Sequence, residues 1–154
     1  MSDSRASTVE RRGARPPRRF TVESANQSLV FVRRVVRDVV EHYRDMVGLR
    51  ARRAELAMTE SQSAAIEQLS ERIAAHVEQL DELADELSHV GCELKDWDTG
   101  LVDFAAMLDG RRICLCWRLG EEQITHWHEV DAGFAGRQPI DEHVRQRIRE
   151  QASA

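Results

Sequence analysis

The sequence predicts one α+β domain, in which a long, coiled-coil-like antiparallel helical hairpin precedes a small antiparallel β-meander of about four strands and a short C-terminal helix. Two patterns predict this fold: apolar residues recur at helical spacing in the first half, and glycines punctuate the second half every nine or ten residues. A chain of 154 residues is the usual size of one domain. We divide it into a disordered, arginine-rich arm (1–19) and one domain (20–154), made of the hairpin (20–90), the meander (91–128) and a loop with the short helix (129–154).

Charge is divided unevenly between the arm and the domain. Residues 1–19 contain six arginines and two acidic residues, which leaves 16 basic and 25 acidic residues in the rest of the chain. An acidic domain argues against a folded nucleic-acid surface, so only the arm could contact phosphates or an acidic partner. The arm lacks interleaved aromatic residues, and we therefore interpret it first as a solvated tail. The sequence has no run of about 18 apolar residues, so we expect no membrane-spanning segment.

The cysteines and the N-terminus together predict a cytoplasmic protein. The chain has three cysteines, and Cys114 and Cys116 lie two residues apart on a predicted strand, which is a poor disulfide framework. The N-terminus carries arginines without the apolar stretch of a signal peptide. We therefore expect free thiols in a reducing compartment.

Two apolar stripes predict the hairpin. The first comprises Leu29, Val32, Val36, Val39, Tyr43 and Met46, and the second comprises Ile66, Leu69, Ile73, His76, Leu80, Leu83, Leu87 and Val90. A turn around Thr59 and Glu60 sets Val39 opposite Leu80, and the two stripes then meet along their length. The same register sets His76 opposite Tyr43, where we expect a core imidazole hydrogen-bonded to the phenol.

The first helix also carries apolar residues outside its stripe, namely Val30, Phe31, Val35, Val40 and Val47. One contact with the second helix cannot bury them all, so we expect the sheet to cover some and a second copy of the hairpin to cover the others. The sequence therefore predicts a homodimer that Val40→Arg or Val47→Arg dissociates without unfolding.

Glycines at 91, 100, 110 and 120 delimit the meander, and the strands are predicted at about 92–97, 101–107, 111–118 and 122–128. Asp109-Gly110 is a favoured type I′ turn pair, which sets Phe104 opposite Leu115. After the meander, Asp141 is the expected N-cap of the short C-terminal helix.

Strand alternation assigns the side chains of the meander to two faces. The core face collects Leu94, Val102, Phe104, Ala106, Ile113, Leu115 and Trp117. The opposite face collects Lys95, Asp103, Cys114, Cys116 and Arg118. On that face we expect Lys95, Asp103 and Arg118 to form a surface charge ladder of little energetic weight.

Metal-ligating residue types gather near the end of the meander. They are Cys114 and Cys116 on one strand, His126 and His128 on the next, and Glu129 and Asp131 close behind. Such residues can bind a divalent metal such as Zn²⁺. The alternative is a structural role, in which His128 supports the loop through a hydrogen bond to Glu129 or to a backbone carbonyl.

Strand pairing decides whether the cysteines belong to this group. A two-residue turn at Gly120 and Glu121, which the leading glycine favours, sets Cys116 opposite Thr125 and turns the histidines to the other face. Only an odd-length loop sets Cys116 opposite His126. The ligand set that does not depend on the cysteines is His126, His128, Glu129 and Asp131.

The remaining motifs predict backbone turns and no metal-binding loop or catalytic site. Asp96 and Asp98 precede Gly100 as in the start of a calcium loop, but Met107 stands where the bidentate glutamate belongs. We therefore interpret both aspartates as turn residues. The sequence has no glycine-rich phosphate loop, nucleophile elbow or helical His-Glu-x-x-His motif, so no catalytic residue is predicted.

A run of short motifs resembles a known family. The motifs are Phe20-Thr21, Ala25-Asn26, Leu94-Lys95-Asp96, Gly100 to Phe104, Cys116 to Glu121, Trp127-His128-Glu129, Gly133-Phe134 and Gly136 to Pro139. In combination they resemble the DUF2203 family of uncharacterised bacterial proteins over approximately residues 20–140. The resemblance implies that many polar residues of the meander lie in recurring motifs, and it implies no activity. From these motifs and the turn at Asp98 we predict a binding set of Lys95, Asp96, Asp98, Asp103, Cys116, Arg118, Glu121 and Arg137.

Three functions remain open at this stage. The first is a non-enzymatic interaction module that dimerises through the hairpin and presents its sheet to an unidentified protein partner. The second is a metal-binding protein or metal-dependent enzyme that uses the His126, His128, Glu129 and Asp131 set. The third is a coiled-coil finger inserted into a larger machine, although its tip offers only Glu60 where such a finger uses an acidic pair.

Overall fold

The structure is a computed structural model that describes residues 18–59 and 63–153. Almost all of the predicted arm, and residues 60–62 at the hairpin tip, lie outside the described residues. The elements are α1 (Val22–Ala57), α2 (Ser63–Val90), β1 (Cys92–Asp96), β2 (Leu101–Leu108), β3 (Arg111–Arg118), β4 (His126–Glu129), a 3₁₀ turn (Phe134–Gly136), β5 (Gln138–Pro139) and α3 (Glu142–Ala152). This order confirms the predicted α+β class.

Helix α1 begins in a reciprocal capping box. The Thr21 hydroxyl accepts from the Ser24 amide at 3.0 Å, and the Ser24 hydroxyl accepts from the Thr21 amide at 2.9 Å. Serine therefore fills the position where glutamate or glutamine usually completes the box. Helix α3 begins at the predicted cap, because the Asp141 carboxylate accepts from the Val144 amide at 2.7 Å.

The two long helices pack as an antiparallel hairpin through the predicted stripes. Val39 and Leu80, which the sequence sets opposite each other, are both buried. The expected hydrogen bond between His76 and Tyr43 is wrong, because the partner of His76 is the residue before Tyr43. His76 Nδ1 lies 2.9 Å from His42 Nδ1, and Tyr43 packs beside Trp97. His42 follows Glu41 on a face that the apolar pattern leaves out, so the stripe alone could not select it.

The five strands form one antiparallel sheet in sequential order from β1 to β5. Asp109 (φ 53°) and Gly110 (φ 78°) both adopt the left-handed conformation that a type I′ turn requires, and Phe104 pairs with Leu115 as predicted. The predicted core face is confirmed, since Val102, Phe104, Ala106, Ile113, Leu115 and Trp117 are buried and Leu94 packs against them. Of the apolar residues outside the α1 stripe, Val35 and Val40 are buried within the chain, whereas Val30, Phe31 and Val47 are exposed.

The last predicted strand is wrong in its position. Strand β4 begins at His126, and residues 119–125 form a seven-residue loop in place of the expected two-residue turn. Burial of Ile124 explains the longer loop, because its side chain enters the core and its amide donates to Asn26 Oδ1 of α1 at 2.8 Å. The segment predicted as a loop after β4 contains the 3₁₀ turn and the short strand β5.

Tight contacts join the helices to the sheet. Gly100 (φ +74°) lies so near α1 that a Cβ atom there would be 2.8 Å from Val36 Cγ1 and 2.9 Å from Leu119 Cβ. Helix α3 packs through the fully buried Ile148, and Arg149 donates to Glu23 at the start of α1. Within the described ranges, every helix is too short or too polar to cross a bilayer.

Candidate functional site

The face of the sheet turned away from the helices, here called the outer face, carries the candidate site. Asp103 on β2 pairs with Cys116 on β3, and Cys114 pairs with His128 on β4. Because side chains alternate along a strand, these four side chains all project from the outer face. Cys116 also pairs with His126. This is the register that an odd-length loop allows, and it differs from the register of the favoured two-residue turn.

Asp103 and His128 form a buried pair across the sheet. His128 Nε2 lies 3.1 Å from Asp103 Oδ1, although the two residues belong to strands separated by β3. His128 is 2% exposed and Asp103 is 6% exposed. The predicted charge ladder is therefore wrong, because Lys95 pairs instead with Glu93 at 3.0 Å and Asp103 is occupied by His128. A neighbouring imidazole thus removes from solvent a carboxylate that alternation alone placed on the surface.

The other nitrogen of His128 fixes where a proton must lie. Nδ1 is 2.7 Å from the backbone oxygen of Glu129, as one of the sequence alternatives proposed. A carbonyl can only accept, so Nδ1 carries hydrogen. In a neutral imidazole Nε2 would then be an acceptor facing a carboxylate oxygen. A shared proton, on the imidazole or on the carboxyl group, is therefore needed between His128 and Asp103 unless a cation occupies that position.

Cys114 completes a group of three potential metal ligands. One ligand atom from each of Asp103, Cys114 and His128 lies within 4.8 Å of the other two. We call this group the Asp103 cluster, and it is the one such group found among residues 18–59 and 63–153. Burial, followed by the negative charge of Asp103, raises the pKa of the Cys114 thiol to about 11.

Cys116 lies beside the cluster in a drier environment. It is completely buried, and burial followed by the charge of Asp103 raises the pKa of its thiol to about 12. Its backbone oxygen accepts from Arg137 Nη2 at 3.2 Å. Cys116 is therefore a neutral packing group at neutral pH.

Glu121 and Arg137 hold the loops that border the site. Arg137 Nη2 donates to the Glu121 carboxylate at 2.7 and 2.9 Å, and the Arg118 amide donates to the same carboxylate at 2.7 Å. The guanidinium groups of Arg137 and Arg118 lie 4.8 and 5.3 Å from the centre of the Phe134 ring. These contacts fold the segment around the 3₁₀ turn back over β3, next to the cluster.

The structure brings only part of the predicted site together. Of the proposed ligand set, His128 alone belongs to the cluster: Glu129 binds Arg111 at 3.0 Å, His126 bonds Thr125 at 2.9 Å, and Asp131 lies on the exposed loop after β4. Asp103, Cys116, Glu121 and Arg137 of the proposed binding set lie in or beside the site.

Asp96 and Asp98 belong to a separate turn between β1 and β2. Asp96 Oδ1 accepts from the amides of Asp98 and Thr99 at 2.9 and 3.1 Å, which confirms the predicted turn role. Asp98 also accepts from Arg44 of α1 at 3.3 Å. This turn belongs to edge strand β1, whereas the loop after β4 lies towards the opposite edge of the sheet, so the two are far apart.

Sequence reasoning did not combine Asp103 with Cys114 and His128. The two-residue turn that Gly120 and Glu121 favour places the histidines on the other face, away from Asp103 and Cys114. The usable signal was Ile124, an apolar residue that follows three polar residues and needs burial, which argues against a strand that starts directly after a two-residue turn.

The chain belongs to the DUF2203 family, described as an uncharacterized conserved protein, whose model matches residues 18–140. The match spans both long helices and the whole sheet, and it ends before α3. The search of curated proteins and the search of solved structures each found no match.

Proposed function

We propose that the protein binds one divalent transition-metal ion, most closely matched by Zn²⁺, through the Asp103 cluster. The observation that carries this proposal is the convergence of Asp103, Cys114 and His128 within 4.8 Å on a rigid sheet. One carboxylate oxygen, one thiolate sulfur and one imidazole nitrogen form a ligand set that zinc accepts.

The hydrogen bond from His128 to the Glu129 carbonyl supports this proposal. A metal-binding histidine usually donates its second ring N–H to a carboxylate or backbone carbonyl, which fixes its tautomer and orientation. His128 is held in this way, with Nε2 directed at Asp103. The cation would take the position of the shared proton that the His128 and Asp103 pair otherwise needs.

The distances also suit a metal after a small adjustment. With bonds of about 2.0–2.2 Å to nitrogen and oxygen, tetrahedral zinc separates those ligand atoms by about 3.3–3.6 Å. His128 Nε2 and Asp103 Oδ1 are 3.1 Å apart, so they need to separate only slightly. The raised pKa of Cys114 is no obstacle, because a bound metal removes the thiol proton outright. Three protein ligands leave a fourth position open, as in catalytic zinc sites, and this supports a metal-dependent activity.

Metal analysis of untagged protein tests the proposal. We expect about one equivalent of bound metal in wild type, and a Co²⁺-loaded sample should show thiolate-to-metal charge-transfer absorption. Cys114→Ala should abolish that absorption, and His128→Ala should lower metal occupancy. His126→Ala is the matched control, because His126 lies on the same strand outside the cluster and should leave occupancy unchanged. Sub-stoichiometric metal in wild type after incubation with Zn²⁺ would refute the site.

A second candidate function is self-association through the hairpin. Near the end of α1, Val47 (46% exposed) lies on one exposed stripe with Ala51, Ala54 and the C-cap residue Met58 (87% exposed). The helices also differ in charge: α1 carries seven arginines and five acidic residues, and α2 carries one arginine and seven acidic residues. Two copies that place α1 against the partner's α2 would bring these opposite charges together.

Light scattering tests self-association. Wild type should be a dimer, and Val47→Arg should give a monomer of about the chain mass of 17.6 kDa with an unchanged melting temperature. The expectation that Val40→Arg leaves the fold intact is wrong, because Val40 is only 6% exposed and an arginine there should unfold the chain. A monomeric wild type at high concentration would remove this candidate.

The proposed location of the protein is the cytoplasm. Cys92, Cys114 and Cys116 are free thiols, as expected in a reducing compartment. An acidic domain leaves protein partners or small ligands as better candidates than nucleic acid.

A further inference from the structure

The outer face around Cys114 is open on its β2 side. Cys114 pairs with His128 on one side and with Ala105 on the other, so only a methyl group adjoins the thiol from β2. Cys114 and Ala105 are half-buried, while Asp103 and His128 are buried. Cys114 is therefore the member of the cluster that is most exposed to solvent.

Two cations border this opening. Arg112 projects from the same face as Cys114, two residues earlier on β3, and is exposed. Lys95 lies at the irregular position of β1, where the pairing with β2 shifts between Leu94 and Asp96. Lys95 Nζ lies 3.0 Å from the Glu93 carboxylate, and Glu93 pairs directly with Asp103 across β1 and β2, so Lys95 lies beside the Asp103 cluster.

The charges of the loaded site can be counted. The two charges of a divalent ion are balanced by the Asp103 carboxylate and the Cys114 thiolate, and His128 is neutral when it is a ligand. Outside the ligands, Lys95 and Arg112 face one anion, Glu93, which binds Lys95 at 3.0 Å. One positive charge therefore remains beside the open coordination position.

We propose that the open position of the metal site takes a small carboxylate anion, whose second oxygen is bound by Arg112 and Lys95. The inference rests on the proposed metal-binding function and names the class of ligand that the site takes. A carboxylate matches the single residual charge, supplies the oxygen ligand that completes four-coordination, and presents the planar edge that a guanidinium binds. It ranks above phosphate, whose second negative charge has no cation to balance it here.

Titration of Co²⁺-loaded protein with sodium acetate, at constant pH and ionic strength, tests the inference. The visible d–d spectrum should change with saturation as acetate enters the coordination sphere. Arg112→Gln and Lys95→Gln should each weaken acetate binding by about tenfold while leaving Co²⁺ binding intact. Arg111→Gln is the matched control, because Arg111 binds Glu129 and projects from the opposite face of β3.

The outcomes separate this inference from the proposed function. A bound Co²⁺ spectrum that acetate leaves unchanged, or glutamine variants that bind acetate like wild type, would overturn the carboxylate site and leave the metal site standing. Tighter binding of inorganic phosphate than of acetate would overturn the assignment to carboxylates. Absence of a Co²⁺ spectrum would overturn the metal site, and the carboxylate site with it.

Discussion

The imidazole of His128 on β4 reaches past β3 to the carboxylate of Asp103 on β2, with 3.1 Å between Nε2 and Oδ1. Each side chain leaves its own strand at an angle, since Asp103 pairs directly with Cys116 and His128 pairs directly with Cys114. The contact is diagonal and buried, and it crosses the strand that supplies both thiols of the site. The pair therefore couples three strands of the sheet through one polar contact.

In metal-free protein, removing either member of this pair should be costly. We expect His128→Ala and Asp103→Ala each to lower the free energy of unfolding by about 3–5 kcal/mol, because each leaves a buried polar partner unpaired. The double variant should cost less than the sum of the single variants by about 1–3 kcal/mol. Urea denaturation in the presence of a chelator measures all three. Additivity to within about 0.5 kcal/mol would show that the two residues do not interact.

A charge placed in the hairpin contact should unfold the protein. Leu80 is 4% exposed, opposite the buried Val39, so Leu80→Asp would bury an unpaired carboxylate at a cost of several kcal/mol. Thermal melting should show a fall of at least about 10 °C or no cooperative transition. Gln79→Asp adds the same charge at the neighbouring exposed position and should melt close to wild type. If the two variants melt alike, the proposed contact between the helices is wrong.

The hairpin and the first three strands were predictable because local patterns determine them. Helical spacing identified which faces of α1 and α2 meet. The Asp109-Gly110 pair fixed the register of β2 against β3, and the core face followed from strict alternation. These features depend on neighbours in the sequence, and sequence patterns report such neighbours directly.

The site was only partly predictable because it depends on contacts between distant segments. Ile124 enters the core against α1, and Glu121 binds Arg137 from beyond β4, so the loop before β4 is longer than its leading glycine suggests. That change in loop length sets His128 on the same face as Asp103. The glycine turn pattern does not report it, because the stabilising partners lie 98 and 16 residues away.

The contact of Gly100 with α1 should make that glycine harder to replace than another glycine of similar conformation. Gly100 (φ +74°) and Gly110 (φ +78°) both impose backbone strain on alanine, but only at Gly100 would the new methyl group meet Val36 and Leu119. We expect Gly110→Ala to cost about 1 kcal/mol and Gly100→Ala about 2–4 kcal/mol, as overpacking is added to strain. Equal losses in urea denaturation would mean that the sheet turn does not press against the helix.

The raised thiol pKa values predict how the cysteines react in metal-free protein. Burial raises the pKa to about 12 for Cys92 and Cys116 and, together with the charge of Asp103, to about 11 for Cys114. A raised pKa keeps the thiol protonated as the pH rises through 8, where only about one Cys114 in a thousand is the reactive thiolate. Alkylation by iodoacetamide should therefore be slow at pH 8 and speed up roughly tenfold per pH unit towards pH 10.

Cys114 should be modified first because it is the least buried of the three cysteines. Mass spectrometry of timed samples resolves the three sites, and Cys114→Ala identifies the leading one. Rapid alkylation at pH 7 that does not increase with pH would show that the thiol is already ionised and would contradict the electrostatic account of the site.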